Sequence, residues 1–386
     1  MNIGEGKYIK LLFITRQNFL HNDRSGGYKL SQNIFQSLKE NDGIEVSLCI
    51  LDINGCKISK KNGTGQVKII SIKDKPIKRN LSYLLGGSGY SFYENMALRT
   101  VIRTSDADII WFDGTWFGRH IREVSNLQKT VVFCHNIEKI FAMDRILTTK
   151  KITAVPRFVS DWVNERAVIK RADRVICLNE RDDLLLNRNY GRRSDEILPI
   201  MLRDAYAKCR SVENRTNEIL FVGSSFYPNI EGIRWFCKNI MPYVECKLDI
   251  VGNGMESIRD ELESEKVRIV GTVDSLQYYY DKADLVVLPL FSGGGMKVKT
   301  AEAMMYGKRI LASDEALEGY QIEGMKDIIR CNTASEFIHE INYMMKRSEI
   351  SKFSEENRKL FLESYSTASA KKKIYKLLGE LMDEKN

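Results

Sequence analysis

Short runs of Val, Ile and Leu alternate with longer amphipathic stretches along the whole chain, and this alternation constrains the fold more than any other feature. The first half carries YIKLLFIT, IEVSLCIL, QVKIISI, ADIIWFD, TVVFCHN and DRVICLN, and the second NEILFVG, CKLDIVG, KVRIVG, ADLVVLPL and KRILAS. These runs are nearly continuous in apolar residues, so both faces of each strand need cover, as in a parallel sheet. Between them lie segments of helical periodicity, such as KLSQNIFQSLKE, VSDWVNERAVIKRA, IEGIRWFCKNI and MKVKTAEAMMYG. Strand–helix alternation in both halves predicts an α/β protein built from two Rossmann-like, doubly wound domains.

Length fits that reading, since 386 residues exceed one ordinary core. The polar stretch LPIMLRDAYAKCRSVENRTN follows the strand-like SDEILPI and marks the boundary. The expected division is an N-terminal domain over 1–205 and a C-terminal domain over 206–365. Residues 366–386 read as a separate amphipathic helix, with Ile374, Leu377, Leu378 and Leu381 on one stripe.

Composition narrows the class. No run approaches about 18 uninterrupted apolar residues, so no membrane-spanning helix is expected. The N-terminus reads as a short tail before a first strand, not as a signal peptide. The eight cysteines are scattered without CxxC spacing and read as buried, reduced thiols of a cytosolic protein. The net charge of +8 is uneven: residues 1–205 hold 33 Lys+Arg against 23 Asp+Glu, and the remainder 26 against 28. A basic half either solubilises the chain or faces something anionic, such as a membrane surface, a phosphorylated lipid or a nucleic acid. The chain has no recognised nucleic-acid-binding module, so a nucleic-acid partner is not expected.

Ligands of open α/β sheets bind at the carboxyl ends of the strands, where glycine-rich turns let backbone N–H groups reach a phosphate. Three turns qualify: SGGYKLS, FVGSSFYPN and FSGGG. The third opens a helix with Lys297 and Lys299 in its first turn. Cations there oppose the helix dipole by roughly 0.3–1 kcal/mol each, and a bound anion would reverse that penalty. The alternative is that both lysines point into water and Lys299 pairs with Glu302. Glu302 lies off the apolar stripe of the helix, where a carboxylate could accept hydrogen bonds from ribose hydroxyls. GGGMKVKT lacks P-loop spacing, and no G-x-G-x-x-G follows the first strand.

Taken in order, FVGSSFYPNIEGIRWF, GTVDSLQYYYDKADLVVLPL, GGGMKVKTAEAMMYGKRILAS and ALEGY resemble the C-terminal domain of retaining GT-B glycosyltransferases of the GT4 type. The likeness is close over roughly 217–320 and looser over KLLFITRQ…SGGYKLSQNIF and VVFCHNIE. It implies the GT-B fold, two Rossmann-like domains facing across a cleft, with the last helix returning to the first domain. It also implies metal-independent hexosyl transfer from a UDP- or GDP-linked sugar, which is a substrate and leaves no separate cofactor, to a saccharide or lipid-linked acceptor. By the same resemblance Glu302 binds the donor ribose, and Gly293, Gly294, Gly295, Lys297 and Lys299 form the diphosphate loop. Gly223 and Ser224 lie beside the donor phosphates, Gly26 and Gly27 line the cleft from the other side, and His135 lies near the transferred sugar.

The chain departs from the pattern in two places. Gly294 stands where many relatives carry a second glutamate, and Ser224 and Ile230 stand where many carry Arg and Lys. These departures leave Lys297 and Lys299 as the main phosphate cations. Asp106-Ala107-Asp108 is nominally a metal-binding DxD but lies far from the glycine loops, so no metal site is expected. Front-face attack, with the leaving phosphate taking the acceptor proton, requires no paired carboxylates. Aromatic and basic residues of the first half (Tyr90, Phe92, Trp116, Arg119) are candidates for the acceptor side, and Glu138 is expected to charge a helix start. The expected setting is the cytoplasm, at the inner face of the plasma membrane, in the synthesis of a surface polysaccharide or glycolipid. Two other readings stay open: a non-catalytic GT-B-like partner subunit, and a nucleotide-sugar epimerase.

Overall fold

The structure, a computed structural model, describes residues 8–19, 26–52, 67–71, 82–83, 90, 92–149, 155–207, 216–293, 295–347 and 351–384. The chain divides into two compact units, one of residues 1–199 with 370–386 and the other of residues 200–369. Each is built on one parallel sheet.

The first sheet has seven strands: β1 (Ile9–Thr15), β2 (Ile44–Asp52), β3 (Val67–Ser71), β4 (Ile109–Asp113), β5 (Lys129–Cys134), β6 (Arg174–Cys177) and β7 (Glu196–Ile197), in the order β3-β2-β1-β4-β5-β6-β7. All its pairings are parallel. The second has six: β8 (Glu218–Val222), β9 (Lys247–Val251), β10 (Val267–Gly271), β11 (Leu285–Leu288), β12 (Ile310–Ala312) and β13 (Ile328–Arg330), in the order β10-β9-β8-β11-β12-β13, again all parallel. β1, β4 and β5 are buried almost along their whole length, the two-sided cover that their unbroken apolar runs require. In both sheets the strand order reverses beside the first strand. The switch points therefore fall between β1 and β4 and between β8 and β11, where α/β folds place their ligands.

The helix Thr367–Asp383 buries Ile374, Leu377, Leu378 and Leu381, the four residues of its sequence stripe. Within the first unit, Tyr375 Oη donates to the Ser37 carbonyl at 2.6 Å and Lys373 Nζ to the Ile197 carbonyl at 2.8 Å. Glycine permits a close approach of helix to loop in the second unit. A Cβ on Gly232, inside the helix Tyr227–Asn239, would lie 1.9 Å from the Pro289 carbonyl oxygen just after β11. Among the described residues, no helix is long and apolar enough to cross a membrane.

Candidate active site

In the second unit, the loop after β8 and the loop after β11 meet at the switch point. Gly223 directly follows β8, and its N–H donates to the Val251 carbonyl at 2.9 Å. Gly293 and Gly295 hold φ of 124° and 65°, in the left-handed region that only glycine enters cheaply, so this loop needs its glycines for backbone shape. Gly294 lies outside the described residues. The helix Val298–Met305 then begins with Lys297 as N-cap and no side-chain cap. Its opening is held instead by Tyr320 of ALEGY, whose hydroxyl donates to the Lys297 carbonyl at 2.7 Å and accepts from the Ala301 N–H at 3.2 Å.

Neither lysine points simply into water. Lys297 Nζ donates to the Gly295 carbonyl at 2.8 Å and pairs with Glu315 at 2.6 Å. Lys299 turns the other way, toward β8. Its ammonium hydrogen-bonds the Asn229 side-chain oxygen and sits 4.9 Å from the Phe221 ring centroid. A Cβ on Gly223 would come within 3.0 Å of that ammonium. Asn229 is fixed in turn by donating to the Ser224 carbonyl at 2.8 Å, while Ser224 itself is exposed. Burial and the neighbouring Lys297 depress Lys299 to about 7, against the opposing pull of Glu302.

Glu302 is more enclosed than its place off the apolar stripe suggests, at 8% exposure. The helix is buried over Thr300–Met305, and Tyr280 of the helix Gln277–Lys282 lies against the carboxylate. Tyr280 Oη reaches Glu302 Oε2 at 3.5 Å, and its ring stacks on Tyr306 with centroids 4.3 Å apart. The second unit thus gathers Gly223, Ser224, Gly293, Gly295, Lys297, Lys299 and Glu302 around one pair of loops. Asn229, Glu315, Tyr280 and Tyr320 complete the arrangement without having been singled out in the sequence.

The first unit has its own polar centre at its switch point. His135, just past β5, places Nε2 at 2.7 Å from Asp113 Oδ1. Asp113 ends β4 and is fully buried. Its other oxygen accepts from Thr15 Oγ1, at the end of β1, and from Ser31 Oγ of the helix Gly26–Lys39, both at 2.6 Å. With both carboxylate oxygens accepting, His135 donates through Nε2 and keeps Nδ1 for another partner. Gly26 and Gly27 open the same helix that carries Ser31.

Around this centre lie groups of less obvious sequence. Arg16, directly after β1, places its guanidinium 5.0 Å from the Tyr90 ring and 5.1 Å from that of Trp116. Of the four acceptor candidates, Tyr90 is buried, Trp116 half-buried, and Phe92 and Arg119 exposed. Glu138 does not supply the charge at its helix start. That role falls to Glu165, whose carboxylate accepts from the Glu138 N–H at 2.7 Å and the Lys139 N–H at 3.0 Å. Burial, with Glu165 and Asp161 nearby, pushes the Glu138 carboxyl up to about 8. Lys10 occupies both aspartates of the DxD: its Nζ pairs with Asp106 at 2.5 Å and its backbone N–H donates to Asp108 at 3.1 Å. Among the described residues no group of three or more His, Cys, Asp or Glu could hold a metal ion.

Comparison with known proteins adds the following. Residues 216–347 match the family described as "Glycosyl transferases group 1". An uncharacterized 44.6 kDa protein in the cps region of Klebsiella pneumoniae is 25% identical over 174 residues, covering 41% of this chain and 45% of that protein. The match thus spans less than half the length of that curated relative. Sucrose-phosphate synthase from Thermosynechococcus elongatus superposes with a TM-score of 0.75 at 14% identity, over 97% of this chain and 100% of that one. Anabaena HepE, in complex with UDP-glucose, gives a TM-score of 0.66 at 13% identity, over 97% and 100%. The fold is the GT-B type of α/β architecture, as the sequence resemblance implied.

Proposed function

We propose that this chain is a retaining, GT4-type hexosyltransferase. It moves a sugar from a nucleotide diphosphate, UDP- or GDP-linked, to a saccharide or lipid-linked acceptor in the synthesis of a surface polysaccharide or glycolipid. The observation that carries the reading is the half-buried ammonium of Lys299, held at the backbone of Gly223 where the two glycine loops meet. A half-buried cation whose side-chain partner is a neutral amide has little structural use, but it suits the growing charge of a leaving diphosphate. Lys297 exchanges Glu315 for phosphate as the donor enters, and Glu302 accepts from the ribose hydroxyls. His135 orients the transferred sugar through Nδ1, and Asp113 keeps its ring in place. The leaving phosphate takes the acceptor proton, so these lysines carry the charge stabilisation and no step is assigned to a metal.

Two relatives support the choice of substrate. The HepE complex contains UDP-glucose, which makes UDP the first base to test. The Klebsiella protein's place in a cps region fits polysaccharide synthesis. A thermal-shift panel of UDP, GDP and their sugars tests the proposal, because a ligand that binds the folded state alone raises the melting temperature. One nucleotide family should shift it by several degrees at millimolar concentration. If none does, the transfer reading fails and a non-catalytic partner subunit takes its place.

A further inference from the structure

One face of the first unit combines exposed apolar side chains with unpaired cations. The helix Val155–Arg171 turns Ser160, Asn164, Glu165, Val168 and Ile169 inward. Its outer stripe falls at 155, 159, 163, 166 and 170, the spacing of one helical face. Val155, Val159 and Val163 are 42%, 45% and 50% exposed. Core packing does not account for them, and β-branched valine is a poor helix former at an exposed site. Further along the stripe the valines give way to exposed Arg166 and Lys170. These two, with Arg122, Arg171 and the Trp162 indole, line a pocket of about 500 Å³ that has no carboxylate in its wall. None of the four cations has an ion pair among the described residues, whereas Arg157 on the same helix pairs with Asp161 at 3.3 Å.

We propose that this face docks on an anionic membrane, with lipid phosphates in the cationic pocket and the three valines entering the boundary between headgroups and acyl chains. The combination selects the occupant. A cationic pocket alone would accept any polyanion, but a nucleic acid offers no apolar layer for three valines. An interfacial helix joins an apolar stripe to basic residues, with tryptophan at the water boundary, and all three meet here. The charge excess of the N-terminal half gives the same sign to the wider surface. This inference is independent of the glycosyl-transfer reading, since none of these residues belongs to the donor loops.

Flotation of the full-length protein with vesicles tests it. Vesicles of phosphatidylglycerol and phosphatidylethanolamine should carry the protein, and phosphatidylcholine vesicles should not. Arg166→Glu with Lys170→Glu, or about 0.5 M NaCl, should lower partitioning roughly tenfold or more. Val155→Ser, Val159→Ser and Val163→Ser together should lower it several-fold and leave the salt dependence intact. Circular dichroism and urea midpoints establish that each variant is folded. Lack of association with anionic vesicles, or association that survives both sets of substitutions, would overturn the proposal. So would displacement by millimolar inorganic phosphate, which would make the pocket a soluble-anion site. Binding to duplex DNA as tight as to vesicles, unaffected by the valine changes, would assign the face to nucleic acid instead.

Discussion

Two single residues matter most, the half-buried Lys299 and the fully buried Asp113. Lys299 is depressed to about 7, so above that pH the folded protein holds it neutral. On the proposed function a bound diphosphate would restore its charge, so donor binding above pH 7 would take up a proton. The dissociation constant of UDP should therefore rise between pH 7 and 8.5, and calorimetry in buffers of different ionisation enthalpy should detect the proton. Lys299→Met should remove both effects. The sign for stability follows from the same shift. Between pH 7 and 10.5 the unfolded chain binds the extra proton, so this group's contribution to stability rises with pH across that window. Asp113 is the second group. It accepts from His135, Thr15 and Ser31 with no solvent contact. Asp113→Ala leaves three buried partners unsatisfied and should cost about 3 kcal/mol in urea denaturation.

At the scale of elements, the strands were legible and the cross-links were not. The apolar runs mark β1 to β6 and β8 to β12, because burial on both faces leaves a signature within each run, and β7 falls in the strand-like SDEILPI. β13 leaves no such signature, because Ile328–Arg330 is three residues long and lies at a sheet edge. The glycine loops and the two lysines were visible by composition. Their partners were not, because those pairings exist only after folding: Asn229 meets Lys299 from 70 residues away, Tyr320 holds the helix start from 23, and Glu315 reaches Lys297 from 18. Glu165, which caps the helix after His135, sits on the next helix along the chain. Nothing in IEGIRWFCKNI marks the role of Gly232, which sets how closely its helix lies on the loop after β11. Gly232→Ala should force that helix outward and cost roughly 1–3 kcal/mol, read as a lower urea midpoint. An unchanged midpoint would show that the helix shifts freely.

At the scale of the whole molecule, the order of elements matters as much as their number. The chain completes its second sheet and then adds its last helix to the first unit. Four large apolar side chains of that helix are buried there. Removal of residues 370–386 should cost roughly 6 kcal/mol or more, a large share of what holds one domain together. Limited proteolysis of the truncated chain should then cut the first unit and spare the second; resistance of both would contradict this. In the function we propose, the two glycine loops of the second unit, with Lys299 and Glu302, form a nucleotide-diphosphate cradle. Titration calorimetry of UDP and GDP into the intact chain and into Glu302→Ala tests it most directly. The expected result is saturable binding of one nucleotide by the intact chain, lost in the folded variant. Equal affinity of the two proteins for that nucleotide would contradict the account.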